Sequence, residues 1–234
     1  MRATIQERKE IAKGTIEVTF ALDQKAQFLA GQYAFVTLQN PPFSDTRGNR
    51  RHFSISNSPH KNNCIIIATR IGKSAFKRSL RKIPIGTAVE IGPIAGAFTL
   101  PNTPNRPLVF LVGGIGITPF MSMLRFVDEE KRDDYISLFY ANKECASAAY
   151  FSELQEKTKT IKHFQFIPTF TQDPTWEGEK RRIDASFVKQ YIKDVQKPLY
   201  YIVGSVVMVS AMYEVVTSFG VLPEQIKREN FTGY

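Results

Sequence analysis

The sequence predicts two successive domains: a small antiparallel β-barrel with one short helix, then an α/β domain with a doubly wound parallel sheet. The first hundred residues are dominated by short segments rich in β-branched and aromatic residues, separated by turn-forming stretches. Three prolines then fall within residues 101–107, and strands alternate with helices beyond them. We therefore expect one domain at residues 1–103 and the other at 104–234.

Individual elements follow from the period of the apolar residues. A period of two, or a short buried run, predicts strands, and a helical period predicts helices. In the first domain we expect strands at 15–20, 33–38, 51–56 and 64–69 and a helix at about 74–80. In the second we expect strands at 108–112, 135–140, 164–169 and 199–203, a closing strand at 226–231, and helices at 118–127, 147–158, 185–192 and 206–218.

Composition narrows the class of protein. Hydrophobic residues make up 43% and charged residues 23%, as in globular proteins, and no apolar run approaches the ~20 residues of a membrane-spanning helix. The two cysteines, Cys64 and Cys145, cannot form a disulfide framework or a four-cysteine iron–sulfur site. The three histidines are too scattered to indicate a metal site. With no apolar leader in the first residues, we expect a cytoplasmic protein.

The net positive charge of the chain lies entirely in the first domain. Residues 1–103 contain 15 Lys and Arg against 6 Asp and Glu, whereas residues 104–234 contain 16 of each kind. Five of the cations fall within residues 73–82. Such a segment is either a solvated helix face or a surface that attracts a phosphorylated cofactor or an acidic protein. A nucleic acid is a third candidate, although the alternation of aromatic and basic residues typical of a stacking surface is not evident.

Two motifs carry candidate chemistry in the first domain. Arg51-His52-Phe53-Ser54 places a cation and an aromatic ring on one strand face, which suits a phosphorylated ring cofactor, although this combination also occurs in ordinary half-exposed strands. In residues 70–76, Lys73 precedes Ser74, a favourable helix N-cap. The helix behind Ser74 either offers free amides to an anion or is an ordinary capped surface helix.

The second domain has a glycine-rich turn between a strand and a helix. Gly113-Gly114-Ile115-Gly116 allows a pyrophosphate to approach helix amides closely. It is not the G-x-G-x-x-G fingerprint, because Pro119 stands in place of the third small residue, where it suits a first helical turn. Val203-Gly204-Ser205 gives a second glycine turn on the same edge of the predicted sheet, where ligands of such sheets bind.

Taken in order, these motifs resemble the ferredoxin–NADP reductase family of flavoprotein reductases over nearly the whole chain. The resemblance also includes Gly92-Pro93-Ile94-Ala95-Gly96-Ala97-Phe98, a segment ending at Met208, and a terminal Glu-x-Phe at 229–231. It implies a flavin-binding barrel, with FAD or FMN as cofactor, and a domain that binds NADPH or NADH. The flavin-site residues implied are Arg51, His52, Phe53, Ser54, Thr69, Lys73, Ser74 and Ala75. The nucleotide-site residues implied are Gly114, Thr118, Asn142, Lys143, Gly204, Ser205, Met208 and Phe231.

The resemblance implies individual roles as well. Arg51 would hold flavin phosphate, Phe53 would stack on the isoalloxazine ring, and Ser54 would act as the catalytic residue by hydrogen bonding to N5. Lys73, Ser74 and Ala75 would meet the pyrophosphate. The terminal segment would return to the flavin, where Phe231, or alternatively Tyr234, would cover the ring; otherwise Phe231 closes the sheet and Tyr234 packs elsewhere.

Three departures from the family pattern affect these expectations. Phe53 replaces the commoner tyrosine, and Val203 and Ser205 replace a cysteine and a proline, so a thiol beside the nicotinamide is missing. No cysteine-rich iron–sulfur segment is present in the sequence. In the loop facing the ribose, Lys143 favours NADP whereas Glu144 favours NAD, and we give NADP a slight preference.

The expected function is a flavin-dependent NAD(P)H oxidoreductase that passes hydride to flavin and electrons to an acidic carrier such as ferredoxin or flavodoxin. Alternatives are a reductase of free flavin or ferric chelates, a flavin-binding relay subunit without nicotinamide chemistry, and a basic nucleic-acid-binding barrel.

Overall fold

The computed structural model describes residues 1–231, and its contacts divide the chain into two compact units. The first unit comprises Met1–Leu100 together with Thr118–Phe126. The second comprises Pro101–Ile117 and the chain from Val127 onward. The expected boundary after residue 103 remains a prediction.

The first unit contains a six-stranded sheet in which every pair of neighbouring strands is antiparallel, in the order β4-β3-β6-β1-β2-β5. Its side chains enclose an apolar core that includes Val18, Phe20, Val36 and Ile65. The predicted antiparallel barrel class is confirmed. The strands are β1 Arg2–Ala12, β2 Thr15–Leu22, β3 Tyr33–Leu38, β4 Arg50–Ser54, β5 Cys64–Arg70 and β6 Ala88–Ala95.

Two of these strands, β1 and β6, were not among the predicted segments. In β1 only Ala3 and Ile5 are buried, and most of the remaining residues are exposed or half-buried. After Ile5 the residues of β1 are exposed or half-buried and largely charged, so the period of two by which strands are recognised is not visible there. Pairing with β2 and β6, rather than local preference, therefore makes this segment a strand.

The segment after β4 closes the sheet toward β5. The backbone amide of Ser56 donates to the Ile66 carbonyl at 2.8 Å, and the Ile66 amide donates to the Asn57 side chain at 2.7 Å. The Asn57 amide group also donates to the carbonyls of Lys61 and Cys64. A single buried asparagine thus links the two ends of the strand order.

One helix, α1 (Ala75–Lys82), accompanies this sheet and confirms the predicted short helix. Ser74 is its N-cap, and its hydroxyl accepts from the Lys77 amide. Phe76 and Leu80, four residues apart, are buried in the core, and the basic side chains occupy the opposite face. The amphipathic period therefore determines which face of α1 is buried and which is exposed to solvent.

The second unit contains a five-stranded parallel sheet in the order β11-β10-β7-β8-β9. From β7 the chain adds strands on one side, then returns to add β10 on the other, which is the doubly wound arrangement predicted. The strands are β7 Leu108–Gly113, β8 Ile136–Asn142, β9 Phe164–Phe170, β10 Leu199–Gly204 and β11 Ile226–Asn230. The helices that follow these strands in the chain are α2 Thr118–Glu129, α3 Phe151–Thr160, α4 Ala185–Tyr191 and α5 Val206–Thr217. Of these, the segment Thr118–Phe126 of α2 belongs to the first unit by its contacts.

The helix predicted at 147–158 is wrong at its start. A short 3-10 turn occupies Cys145–Ser147, and α3 begins only at Phe151. Tyr150 separates them with a φ of 60°, in the left-handed region, which a continuous right-handed helix excludes. A 3-10 turn and a shorter α-helix thus replace the one predicted helix.

Candidate functional site

The strand β4 divides its side chains between two faces, as its period requires. Arg51 and Phe53 lie on the face of the core strand residues, and the Phe53 ring centroid is 5.7 Å from that of Phe76. Arg51 lies 5.5 Å from the same Phe76 ring. The predicted pairing of a cation with an aromatic ring on one face is therefore present, with Phe76 of α1 beside both.

His52 and Ser54 occupy the other face of β4. The His52 ring lies 5.3 Å from Tyr33 and 5.7 Å from Phe35, both on β3, and Ser54 pairs with Tyr33 across the strands. Ser54 is buried, Tyr33 and Phe35 are half-buried, and His52 is exposed. Sequence reasoning passed over Tyr33 and Phe35 as candidate ring-binding residues, although their alternation along β3 was visible.

The guanidinium of Arg51 is held by its own loop. It donates to the carbonyls of Arg47, Gly48 and Arg50 at 2.8, 3.1 and 2.6 Å. Its second terminal nitrogen lies 3.4 Å from Oδ1 of Asp45. These contacts fix the direction of the cation without using all its donors, since a guanidinium carries five N–H groups.

Asp45 connects Arg51 to the start of α1. Its Oδ2 accepts a hydrogen bond from the Ala75 backbone amide at 3.2 Å, while its Oδ1 faces Arg51. The Ala75 amide is one of the donors that the first helical turn leaves without an intrahelical partner. Two of the groups predicted to hold phosphate therefore converge on one carboxylate, and sequence reasoning did not single out Asp45.

The other residues predicted for the flavin site in this part of the chain lie just before α1 in the sequence. Ser74 caps α1, so its hydroxyl is engaged with the Lys77 amide. Lys73 is exposed, and Thr69 is buried in β5, where its hydroxyl contacts the Arg70 carbonyl at 3.4 Å. Lys73 is consequently available to a ligand, whereas Thr69 has a role in the strand.

In the second unit the strand order reverses between β7 and β10, and glycines end both strands. An added Cβ at Gly113 would lie 2.2 Å from Sδ of Met208, and one at Gly204 would lie 2.9 Å from it. Ser205 is the N-cap of α5, and its hydroxyl accepts from the Met208 amide at 3.4 Å. Gly204, Ser205 and Met208, all predicted, thus form one packed corner at the carboxyl edge of the sheet.

The glycine turn after β7 is a short 3-10 helix, Gly114–Ile117, that leads directly into α2 at Thr118. Gly114 has a φ of +54°, which disfavours a residue with a side chain. A Cβ on Gly116 would lie 2.9 Å from the Val203 carbonyl oxygen. Gly114 therefore permits the tight turn, and Gly116 permits close contact with β10. Both glycines lie just after the carboxyl end of β7.

The loop predicted to face a ribose follows β8. Asn142 is buried and Lys143 is exposed, and their carbonyls accept from the amides of Thr171 and Gln172. Asp173 accepts from the Cys145 amide at 2.9 Å, and this hydrogen bond with that from the Thr175 hydroxyl lowers the pKa of Asp173. Asp173, which sequence reasoning missed, therefore holds this loop as a carboxylate.

The terminal segment runs along β10. The Phe231 amide donates to the Gly204 carbonyl at 2.9 Å, so the backbone of Phe231 continues the sheet beyond β11. Burial raises the pKa of Glu229, whose Oε2 is inaccessible and has no hydrogen-bond partner among residues 1–231. The terminal Glu-x-Phe was visible in the sequence, but the burial of Glu229 was not. Tyr234 lies outside the described residues.

A groove of about 450 Å³ lies at the opposite, amino-terminal edge of this sheet, where Tyr135, His163 and Lys193 line it. The Tyr135 and His163 rings stack there, with centroids 3.9 Å apart. None of the predicted nucleotide-site residues lines this groove. The predicted cleft and the groove are therefore separate features of one unit.

Within residues 1–231, no group of three or more His, Cys, Asp or Glu side chains is placed to hold a metal ion. No helix in the same part of the chain is long and apolar enough to span a membrane.

The fold and these two regions define a class of protein: an antiparallel barrel in which Arg51 and the start of α1 meet at one carboxylate, and a parallel doubly wound sheet with glycines at its switch point. Comparison with known proteins gives the same class. Residues 110–214 match the family described as oxidoreductase NAD-binding domain.

Among curated relatives, the chain is 30% identical over 215 residues to a flavohemoprotein of Bacillus subtilis (strain 168), covering 88% of this chain and 52% of the relative. It is 29% identical over 164 residues to the reductase component of phenol 2-monooxygenase from Pseudomonas sp. (strain CF600), covering 68% and 45%. The chain thus spans about half the length of these relatives.

Among solved structures, a ferredoxin NADP+ reductase from Neisseria gonorrhoeae with bound FAD and NADP is similar with a TM-score of 0.82 and 19% identity, covering 98% of both chains. The resemblance of the motifs is therefore confirmed. Residues 110–214 belong to the oxidoreductase NAD-binding domain family, and the chain shares its fold with a ferredoxin NADP+ reductase.

Proposed function

We propose that the chain is a flavin-dependent NAD(P)H oxidoreductase that delivers electrons to a separate acceptor. The observation that carries this proposal is the convergence of the Arg51 guanidinium and the Ala75 amide on one carboxylate, at 3.4 and 3.2 Å. Two donors from distant parts of the sequence that satisfy one oxyanion also suit a phosphate oxygen pair. The donor set therefore fits the phosphate end of FAD, with FMN as the alternative.

The residues of the first unit would bind and orient the flavin. Arg51, Lys73 and Ala75 would hold its phosphates, and Phe53 would supply an aromatic surface on the same face of β4 as Arg51. The Ser54 hydroxyl, on the other face at the end of β4, would hydrogen-bond N5 if the ring extends around the end of this strand. Bound flavin supplies the ability to take up a hydride and to release electrons singly. No general acid or base is required of the chain for hydride uptake, so the task of these side chains is placement.

The residues of the second unit would position the nicotinamide nucleotide. Gly114 and Gly204 would let the nucleotide approach the backbone at the carboxyl edge, and Met208 and Ser205 complete the corner beside Gly204. Asn142 and Lys143 would face the ribose, and Phe231 would shield the flavin ring. Since Val203 supplies no thiol, hydride transfer depends on orientation of the two rings. NADPH is our preferred nucleotide, because Lys143 is exposed whereas Glu144 is half-buried.

The acceptor is proposed to be an acidic electron-carrier protein such as ferredoxin or flavodoxin, in the cytoplasm. The net charge of +9, confined to residues 1–103, supports an acidic partner. The likeness to an oxygenase reductase component supports an oxygenase partner as a second candidate. Reduction of free flavin or ferric chelates is the outcome expected if no protein acceptor is needed.

The experiment is anaerobic titration of the purified, FAD-loaded protein with NADPH and NADH in turn, followed by flavin absorbance. Bleaching of a yellow protein by either nucleotide supports the proposal, and the faster nucleotide is the preferred donor. A yellow protein that neither nucleotide bleaches would be a relay subunit. A colourless protein with salt-dependent binding to oligonucleotides would contradict the flavin assignment altogether.

A further inference from the structure

We propose that Asp45 competes with the flavin phosphate for Arg51 and for the first amide of α1, and so sets the affinity of the protein for phosphorylated flavins. The inference rests on the proposed function, since it concerns the same anion site. Besides the residues proposed to favour flavin binding, the site then contains one residue, Asp45, that opposes it.

The geometry places one carboxylate on two phosphate donors. Oδ1 of Asp45 lies 3.4 Å from the Arg51 guanidinium and Oδ2 lies 3.2 Å from the Ala75 amide nitrogen. A carboxylate presents two oxygens and a negative charge, as does one edge of a phosphate group. Asp45 is therefore an internal counterpart of the ligand, and a phosphate that reaches both donors must displace it.

The loop between β3 and β4 allows this displacement without detaching from the barrel. The Phe43 amide donates to the Ser79 hydroxyl at 3.1 Å, and that hydroxyl donates to the Phe43 carbonyl at 3.0 Å. The Arg78 guanidinium lies 3.9 Å from the Phe43 ring centroid. These contacts with the middle and end of α1 hold the loop independently of Asp45.

The carboxylate also has a partner that it can keep. The Arg47 amide donates to Oδ1 of Asp45 at 3.0 Å, two residues along the same turn. The Asp45 side chain is 31% exposed, so water can solvate it when the Ala75 amide and the Arg51 guanidinium bind a ligand instead. A local movement of the Asp45 side chain therefore releases the two donors, and this movement costs little free energy.

Charge explains why such a competitor is useful to the flavin-free protein. Arg51 and the N-terminus of α1 are both positive, and no acidic residue occupies the first turn of α1. Asp45 neutralises the pair until a ligand of higher charge replaces it. The same contact therefore stabilises the flavin-free fold and weakens the binding of every ligand that requires these donors.

The test compares Asp45→Asn with the parent and with Asp23→Asn, an exposed carboxylate beside β2 whose removal changes the net charge equally. Dissociation constants for FAD, FMN and riboflavin are measured by flavin fluorescence. We expect Asp45→Asn to bind FAD and FMN about three- to tenfold more tightly, the scale of one exposed ion pair plus one helix-terminus contact. Riboflavin, which lacks phosphate, should bind unchanged, and 0.5 M salt should reduce the difference.

Unchanged or weaker FAD binding by Asp45→Asn overturns the inference, as does an equal gain for riboflavin or for Asp23→Asn. Asp45→Ala, with folding checked by circular dichroism, should change affinity in the same direction. Inorganic pyrophosphate is the flavin-independent probe: it should raise the melting temperature of Asp45→Asn more than that of the parent. If no protein binds flavin but pyrophosphate shows this difference, the proposed function fails and the role of Asp45 stands. Equal pyrophosphate shifts overturn it.

Discussion

Charge dominates the candidate phosphate site of the first unit, whereas close contact between uncharged groups dominates the carboxyl edge of the second. Arg51 and the Ala75 amide meet at a carboxylate in an exposed loop. Gly113 and Gly204 instead pack against the flexible Met208 thioether, and Gly116 packs against the Val203 carbonyl oxygen, which is fixed in β10. The first region should therefore respond to changes of charge and salt, and the second to changes of volume.

The largest effect is expected from Arg51→Ala, which should weaken flavin binding by roughly 1.5–3 kcal/mol, the range for hydrogen bonds to a charged group. The reason is the loss of the cation that faces the proposed phosphate. Equilibrium dialysis of FAD against variant and parent measures it, with Arg47→Ala as the control from the same loop. A folded Arg51→Ala protein with the parent's dissociation constant would show that phosphate binds elsewhere.

Gly116→Ala should lower the free energy of unfolding by about 1–3 kcal/mol, since its Cβ would lie 2.9 Å from the Val203 carbonyl oxygen and the backbone must shift. Gly113→Ala is the matched control, because its Cβ meets the movable end of Met208. Urea unfolding of both variants is the measurement. Equal stability losses would mean that the two strands do not approach as closely as the structure has them.

Glu229→Gln should raise the free energy of unfolding near neutral pH by about 1 kcal/mol, because the neutral amide avoids the cost of placing a charge in a desolvated position. Burial raises the pKa of Glu229, so its ionisation opposes folding above the unfolded value of about 4.5. The parent should lose this increment of stability as pH rises from 4.5 through the raised pKa, and the variant should not. Parallel pH–stability curves for the two proteins would contradict the burial of this carboxyl.

The smallest effect is expected from Lys143→Glu, which should shift the ratio of kcat/KM from NADPH toward NADH by up to about fivefold, as for one exposed ion pair. Lys143 is exposed in the loop after β8 and carries the charge that suits a 2′-phosphate. Lys193→Glu, at the opposite edge of the sheet, is the control. A ratio that stays constant would assign 2′-phosphate recognition to other residues, such as Arg181 or Arg182.

The comparison also shows which parts of the site were accessible from sequence. Glycine turns, the Ser74 cap and the order of the motifs were all predicted, because each depends on residues close together in the chain. Two of the residues that were missed, Asp45 and Asp173, accept hydrogen bonds from backbone amides 30 and 28 positions away. No local pattern distinguishes such carboxylates from other loop acids.

The sequence by itself determined the two domain classes and, in the second domain, the alternation of strands and helices. These follow from the period of apolar residues and from turn-forming residues, which act locally. Only the tertiary structure decided that β1 is a strand, that Asp45 lies between Arg51 and α1, and that Glu229 is buried. Each of these depends on which distant segment supplies the partner, and the free energy of pairing outweighs the weak local preference of the segment.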